Sequence, residues 1–149
     1  MAKFLIIRFS SIGDIVLTTP VVRCLRKQYP EAEIHFLTKY AFKSIVANNP
    51  YINKIHTLAD SFELMLHELA TEEYDYIIDL HHNLRTLRIK KKKKNVQSFS
   101  FNKLNVEKFV LTNFKINTLP KKHIVDRNLE TVKTLGVIND GLGLDYFIP

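Results

Sequence analysis

The chain has 149 residues, 46% of them hydrophobic, with 22 Lys and Arg against 15 Asp and Glu and a formal charge of +7. That length fits a single domain over residues 1–149 with a substantial core, and the basic balance favours an anionic partner such as a phosphorylated glycolipid, an anionic membrane face or nucleic acid. The single Cys24 excludes an internal disulfide and a Cys-based structural zinc site, and no apolar run reaches the ~20 residues of a membrane span, so a cytoplasmic protein is expected.

Leu5, Ile6 and Ile7 form an unbroken apolar run, the pattern of a strand covered on both faces of a parallel sheet. The run leads into Ser10-Ser11-Ile12-Gly13-Asp14. Loops that leave the carboxyl ends of such strands line the ligand crevice. There, Ser10 and Ser11 supply hydroxyls, Gly13 allows close backbone approach, and the N–H groups of the following helix favour an anion. A simple helix-capping role for Asp14 or a Ser competes with this reading. Thr19-Pro20 reads as a cap and first helical residue, with Val21, Val22, Leu25 and Tyr29 on one face before Pro30; a helix starting at Asp14 would instead have to kink at Pro20.

Ile34–Leu37 is the second predicted strand, Ala41–Ala47 a short helix, Lys54–Leu58 a third strand, and Phe62 to Leu69 an amphipathic helix. Tyr74–Leu80 is the fourth strand and Val96–Phe101 the fifth. Val106, Phe109, Val110 and Phe114 mark another helix, and a last one runs from about His123 to Leu135 with Gly136 as its stop. This alternation predicts an α/β fold built on a doubly wound parallel sheet.

His81-His82-Asn83-Leu84-Arg85 follows the fourth strand, so it belongs at the same crevice as Asp14. Adjacent residues of an extended segment point to opposite sides, so His81 and His82 do not chelate one ion. No third ligand accompanies Asp79 and His81, and no metal site is expected. His35, His56 and His67 stand isolated along the chain, on the surface or in a satisfied core. Lys90 to Lys94, with Arg85 and Arg88, is the densest positive charge and reads first as an exposed, dispensable solvated run. Phe99 and Phe101 nearby could stack bases, but no nucleic-acid-binding signature accompanies them. There is no P-loop and no G-x-G-x-x-G, which argues against a dinucleotide cofactor.

The first strand, the Ser pair, Gly13, Asp14 and the following Thr-x-Pro resemble the start of glycosyltransferase family 9, the ADP-heptose:lipopolysaccharide heptosyltransferases. Asp79, His81, Asn83 and Arg85 match a family Asp-Leu-His-Gly-Asn-Leu-Arg segment, with His82 in place of its Gly. His123-Ile-Val-Asp-Arg127 is similar to a His-x-Val-acid-Arg element, which ordinary helix electrostatics would equally explain.

The resemblance implies the Rossmann-like N-terminal acceptor-binding half of a two-domain GT-B enzyme. It further implies inverting transfer of heptose from ADP-heptose to the lipopolysaccharide inner core, with Asp14 as base. Ser10, Ser11, Gly13, Arg85, His123 and Arg127 would then hold the acceptor. No cofactor beyond the sugar nucleotide is implied, and a C-terminal donor-binding domain would be the partner. Peripheral contact with the anionic inner face of the inner membrane would suit the basic run. Alone, these residues are expected to fold but not to transfer sugar. A non-catalytic module for anionic glycans, and less so a basic nucleic-acid binder, remain the alternatives.

Overall fold

A computed structural model describes residues 2–100 and 120–147, with side chains from 124 onward in the last helix. Helix Val106–Phe114 of the sequence reading lies outside the described residues. The elements are β1 (Lys3–Ile7), α1 (Ile12–Val16), α2 (Thr19–Gln28), β2 (Glu33–Lys39), α3 (Lys43–Val46), β3 (Lys54–Leu58), α4 (Phe62–Ala70), β4 (Tyr76–Asp79), α5 (Leu84–Lys92), β5 (Gln97–Ser100) and α6 (Pro120–Glu130). The strands form one parallel sheet in the order β3-β2-β1-β4-β5. This is the doubly wound α/β arrangement expected.

Strand β1 sits at the centre, and its alternating side chains feed two cores. Phe4 and Ile6 pack with Ile34, Phe36 and Ile78 under Val21, Val22 and Leu25 of α2 and Leu129 of α6. Leu5 and Ile7 pack with Leu37 and Ile77 on the other face, under Met65, Leu66 and Leu69 of α4 and Ile89 of α5. Burial on both faces is why the strand reads as an unbroken apolar run rather than an alternating one. The choice left open at Pro20 resolves into two helices: α1 ends before Leu17, and α2 begins at Thr19 with Pro20 in its first turn, where its missing N–H costs nothing.

The segment after α6 is strapped back onto α2. Arg23, buried at 3% side-chain exposure, donates two 2.7 Å bonds to the Asp140 carboxylate and a third to Asp145. Lys27 adds a 2.8 Å contact to Asp140, and Thr19 Oγ1 accepts from Asp145 N–H. A buried guanidinium is tolerated because its fork is matched by two carboxylates.

The lysine run departs from the expectation of a uniformly exposed, dispensable tract. Lys91, Lys92 and Lys94 are exposed, but Lys90 and Lys93 are not. Lys90 Nζ lies 2.9 Å from Oδ2 of the fully buried Asp79, a charge contact without hydrogen-bond alignment, and donates to Ser100 Oγ at 2.7 Å. Lys93 Nζ donates to the Glu72 carbonyl at 2.7 Å. Helical geometry sends residues three apart down the inner face of α5, where the buried Asp79 carboxylate and the part-buried Glu72 carbonyl lie.

The run should therefore divide on substitution. Lys90→Gln removes the ammonium beside a fully buried carboxylate and should destabilise by about 3 kcal/mol in urea denaturation. A triple Gln variant at Lys91, Lys92 and Lys94 should shift stability by less than about 0.5 kcal/mol.

Candidate active site

Strands β1 and β4 are neighbours in register, with Ile7 opposite Asp79, so the loops leaving them emerge side by side at the carboxyl edge of the sheet. The Asp14 turn and the His81–Arg85 loop thus lie side by side at the edge where this fold class binds ligands, as their strand-to-loop positions required. The side chain that joins them is Arg8, the first residue beyond β1. Its Nε donates to the Ser10 carbonyl at 2.7 Å and its Nη1 to the Leu80 carbonyl at 3.0 Å, and its Nη2 lies 3.3 Å from Asp14 Oδ2. One guanidinium therefore holds the backbone of both loops and the carboxylate between them.

Asp14 occupies the third position of α1, and Ser11 precedes that helix. Its Oδ2 accepts from Ser11 Oγ at 2.8 Å and from Ser11 N–H at 3.3 Å, the reciprocal half of a capping box. The capping role that competed at the sequence level is thus real, and it leaves the side chain 39% exposed to the crevice. Burial alone would raise the carboxyl pKa; the two hydrogen bonds from Ser11 and the charge of Arg8 outweigh it and hold the group below the usual aspartate value. Asp14 is accordingly ionised at neutral pH.

Gly13 is exposed, and a Cβ there would meet nothing within 4 Å. The folded chain does not itself demand glycine at this position; the bare backbone leaves the space before it open to a ligand.

The second loop is built around Asp79. Its Oδ1 accepts from the backbone N–H groups of His81 at 3.0 Å and His82 at 2.7 Å, turning the chain sharply at the end of β4. His82 has φ of 54°, the left-handed region that a Cβ disfavours, which accounts physically for a glycine in the family segment here. The His81 ring meets Phe9 edge-on at 5.3 Å, closing the floor between the loops. Asn83 caps α5 by accepting from Thr86 N–H at 3.0 Å, while its own N–H donates to Thr86 Oγ1 at 2.9 Å. Arg85 follows in the first turn of α5 and is exposed.

The last element is less closely engaged. Arg127 pairs with Glu130 of its own helix at 3.0 Å, and the His123 side chain lies outside the described residues. It is Asn128 that reaches back, donating from Nδ2 to the buried Leu17 carbonyl at 3.1 Å and so pinning α6 against the α1–α2 junction. Arg8 and Asn128 are the residues that the sequence reading missed. For Arg8 a signal existed: a lone basic residue placed between a fully apolar strand and a crevice loop must find partners within that loop.

Two outcomes follow from this geometry. Arg8→Met should raise the Asp14 carboxyl pKa, read by NMR titration of its carboxyl carbon, because a favourable charge and a hydrogen-bond donor are lost while the burial remains. A depressed carboxylate pKa contributes stability above the unfolded value that disappears as pH falls through the folded one, so the variant should also flatten the acid limb of the stability curve. His82→Gly should stabilise by about 0.5–1 kcal/mol in urea denaturation, relief of the left-handed strain exceeding the added chain entropy.

No protein-family profile matches the chain. Among curated proteins it is 27% identical over 139 residues to lipopolysaccharide heptosyltransferase 3 of Escherichia coli K12, a match covering 84% of this chain and 40% of that protein. It is 31% identical over 85 residues to lipopolysaccharide heptosyltransferase 1 of Campylobacter coli, covering 52% of this chain and 25% of that one. The chain spans less than half the length of these relatives. Among solved structures, a family 9 glycosyl transferase from Veillonella parvula shares the fold with a TM-score of 0.75 at 20% identity, over 99% of this chain and 45% of that one. An E. coli heptosyltransferase bound to ADP-2-deoxy-2-fluoro heptose gives 0.67 at 15% identity, over 96% and 51%. The resemblance read from the Ser10–Asp14 turn is therefore shown: the curated relatives are lipopolysaccharide heptosyltransferases, and the structural neighbours, a family 9 glycosyl transferase and a heptosyltransferase, share the fold over most of this chain.

Proposed function

We propose that these residues form the acceptor-binding half of a GT-B heptosyltransferase that moves heptose from ADP-heptose to a hydroxyl of the lipopolysaccharide inner core with inversion. The observation that carries this reading is the Arg8 bridge, which makes one crevice of two loops and leaves an ionised carboxylate open to it. The acceptor oxygen bonds to the anomeric carbon from the face opposite the diphosphate. The bond to the diphosphate breaks with its electrons, ADP departs, and Asp14 takes the hydroxyl proton. A carboxylate with a depressed pKa is a weak base, but it suits a proton that turns acidic only as the new bond forms.

Ser10, the backbone at Gly13 and the exposed Arg85 would orient an acidic acceptor, Arg85 through its planar fork. Donor contacts, including stabilisation of the departing diphosphate, would come from a second domain joined to this one. Helix α5 also supports peripheral contact with the anionic inner face of a membrane: Arg85, Lys91 and Lys92 are exposed beside Leu84 and Leu87, and each of these three contributes about 1 kcal/mol near such a surface, whereas Arg88 is paired with Glu63 at 2.6 Å. Among the described residues no helix is long and apolar enough to cross a membrane.

The test is transfer from ADP-heptose to an inner-core acceptor by these residues alone and after fusion to a family donor-binding domain. Turnover is expected only in the fusion, and Asp14→Ala should lower it at least about 100-fold with folding intact. Unchanged turnover in Asp14→Ala would remove the base; turnover without the donor domain would remove the half-enzyme reading.

A further inference from the structure

At the opposite, amino edge of the sheet, the histidines that stood isolated in the sequence come together. His35 of β2 and His56 of β3 are buried, and His35 Nδ1 lies 3.1 Å from His56 Nε2. Glu72, from the connection after α4, brings Oε2 to 3.9 Å from His35 Nδ1, and one donor atom from each of the three side chains falls within 4.8 Å of the others. Tyr74 Oη stands 2.9 Å from His35 Nδ1 and 3.1 Å from His56 Nε2. A tetrahedral ion with bonds of about 2.0–2.1 Å sets its donors about 3.3 Å apart, a spacing that these separations bracket.

The outer nitrogens point the same way. His35 Nε2 is 2.9 Å from Glu33 Oε1, and His56 Nδ1 is 3.9 Å from Glu68 Oε2. A carboxylate behind each imidazole favours the proton on the outer nitrogen and turns the inner lone pair toward the centre, the arrangement found behind metal-bound histidines. With both outer nitrogens protonated, two inner lone pairs face each other, and the single Tyr74 hydroxyl proton can satisfy only one of them. A cation between them satisfies both. The surrounding charges balance, with Glu33, Glu68 and Glu72 against Lys3, Lys54 and Lys93, the last with Nζ 6.0 Å from the centre of the Tyr74 ring.

We propose that His35, His56 and Glu72 bind a borderline divalent transition ion, zinc or a close analogue, at the amino edge of the sheet, with Tyr74 at the fourth corner. The site ties β2 and β3 to the chain entering β4 and lies away from the crevice edge, so its role is structural. The donor set of two imidazoles and a carboxylate selects such ions over magnesium or calcium.

The probe is Co2+ added to the chelator-treated chain, followed by visible absorption and displacement with Zn2+. One equivalent should give the intense ligand-field bands of a low-coordinate ion, and Zn2+ should abolish them. Glu33→Gln, at a half-exposed position that leaves every donor in place, should weaken binding about 10- to 100-fold. His56→Gln should eliminate the bands, and if that variant fails to fold, Glu72→Gln serves in its place. Absent stoichiometric binding by the wild-type chain, or binding undiminished in both His56→Gln and Glu72→Gln, would overturn the site and leave a purely hydrogen-bonded His–Tyr–His cluster.

Discussion

Everything at the candidate site depends on where Arg8 puts its charge. A guanidinium at 20% side-chain exposure must be repaid in hydrogen bonds and opposite charge, and it finds them in a carbonyl of each crevice loop and in Asp14. The same contacts that solvate Arg8 tie the two loops together and add to the Ser11 hydrogen bonds in holding the carboxyl below the usual aspartate value. Remove it, and the two carbonyls would need water or a new donor while Asp14 kept only its bonds from Ser11, so the loops would lose their common reference.

The rest of the domain serves to hold that geometry still. Parallel pairing of β1 and β4 brings their carboxyl ends together, and burial of both faces of β1 prevents the register from slipping. Asp79 extends this order into the second loop, since its carboxylate gathers two backbone N–H groups on one side and the Lys90 ammonium on the other. Asn128 and the Arg23 strap do the equivalent for the first loop from the opposite face, fixing the α1–α2 junction and the segment after α6.

Much of this was legible in the chain. The apolar run at Leu5–Ile7, the turn residues after it and the strand–helix alternation carry the fold class, because hydrophobic period and turn chemistry are local properties. The shared crevice of the Asp14 and His81–Arg85 loops was legible too, since the carboxyl-edge rule needs only strand order. What was not legible depends on partners distant in sequence. Lys90 looked like one of five equivalent lysines until Asp79 lay beneath it, and His35 and His56 looked isolated until strand pairing put β2 beside β3. Arg8 could be suspected from its position, but its reach to the Leu80 carbonyl, 72 residues away, could not.

The central claim is that the two loops act as one acceptor cradle, and amide chemical-shift mapping tests it most directly. The isotope-labelled chain would be titrated with a phosphorylated, heptose-containing inner-core oligosaccharide, with single-stranded DNA of equal charge as the control. Saturable shifts at Ser10–Asp14 and His81–Arg85 together, absent with the DNA, are expected. Shifts at only one loop, or equal shifts with both ligands spread along α5, would contradict the single cradle and leave a basic surface without a site.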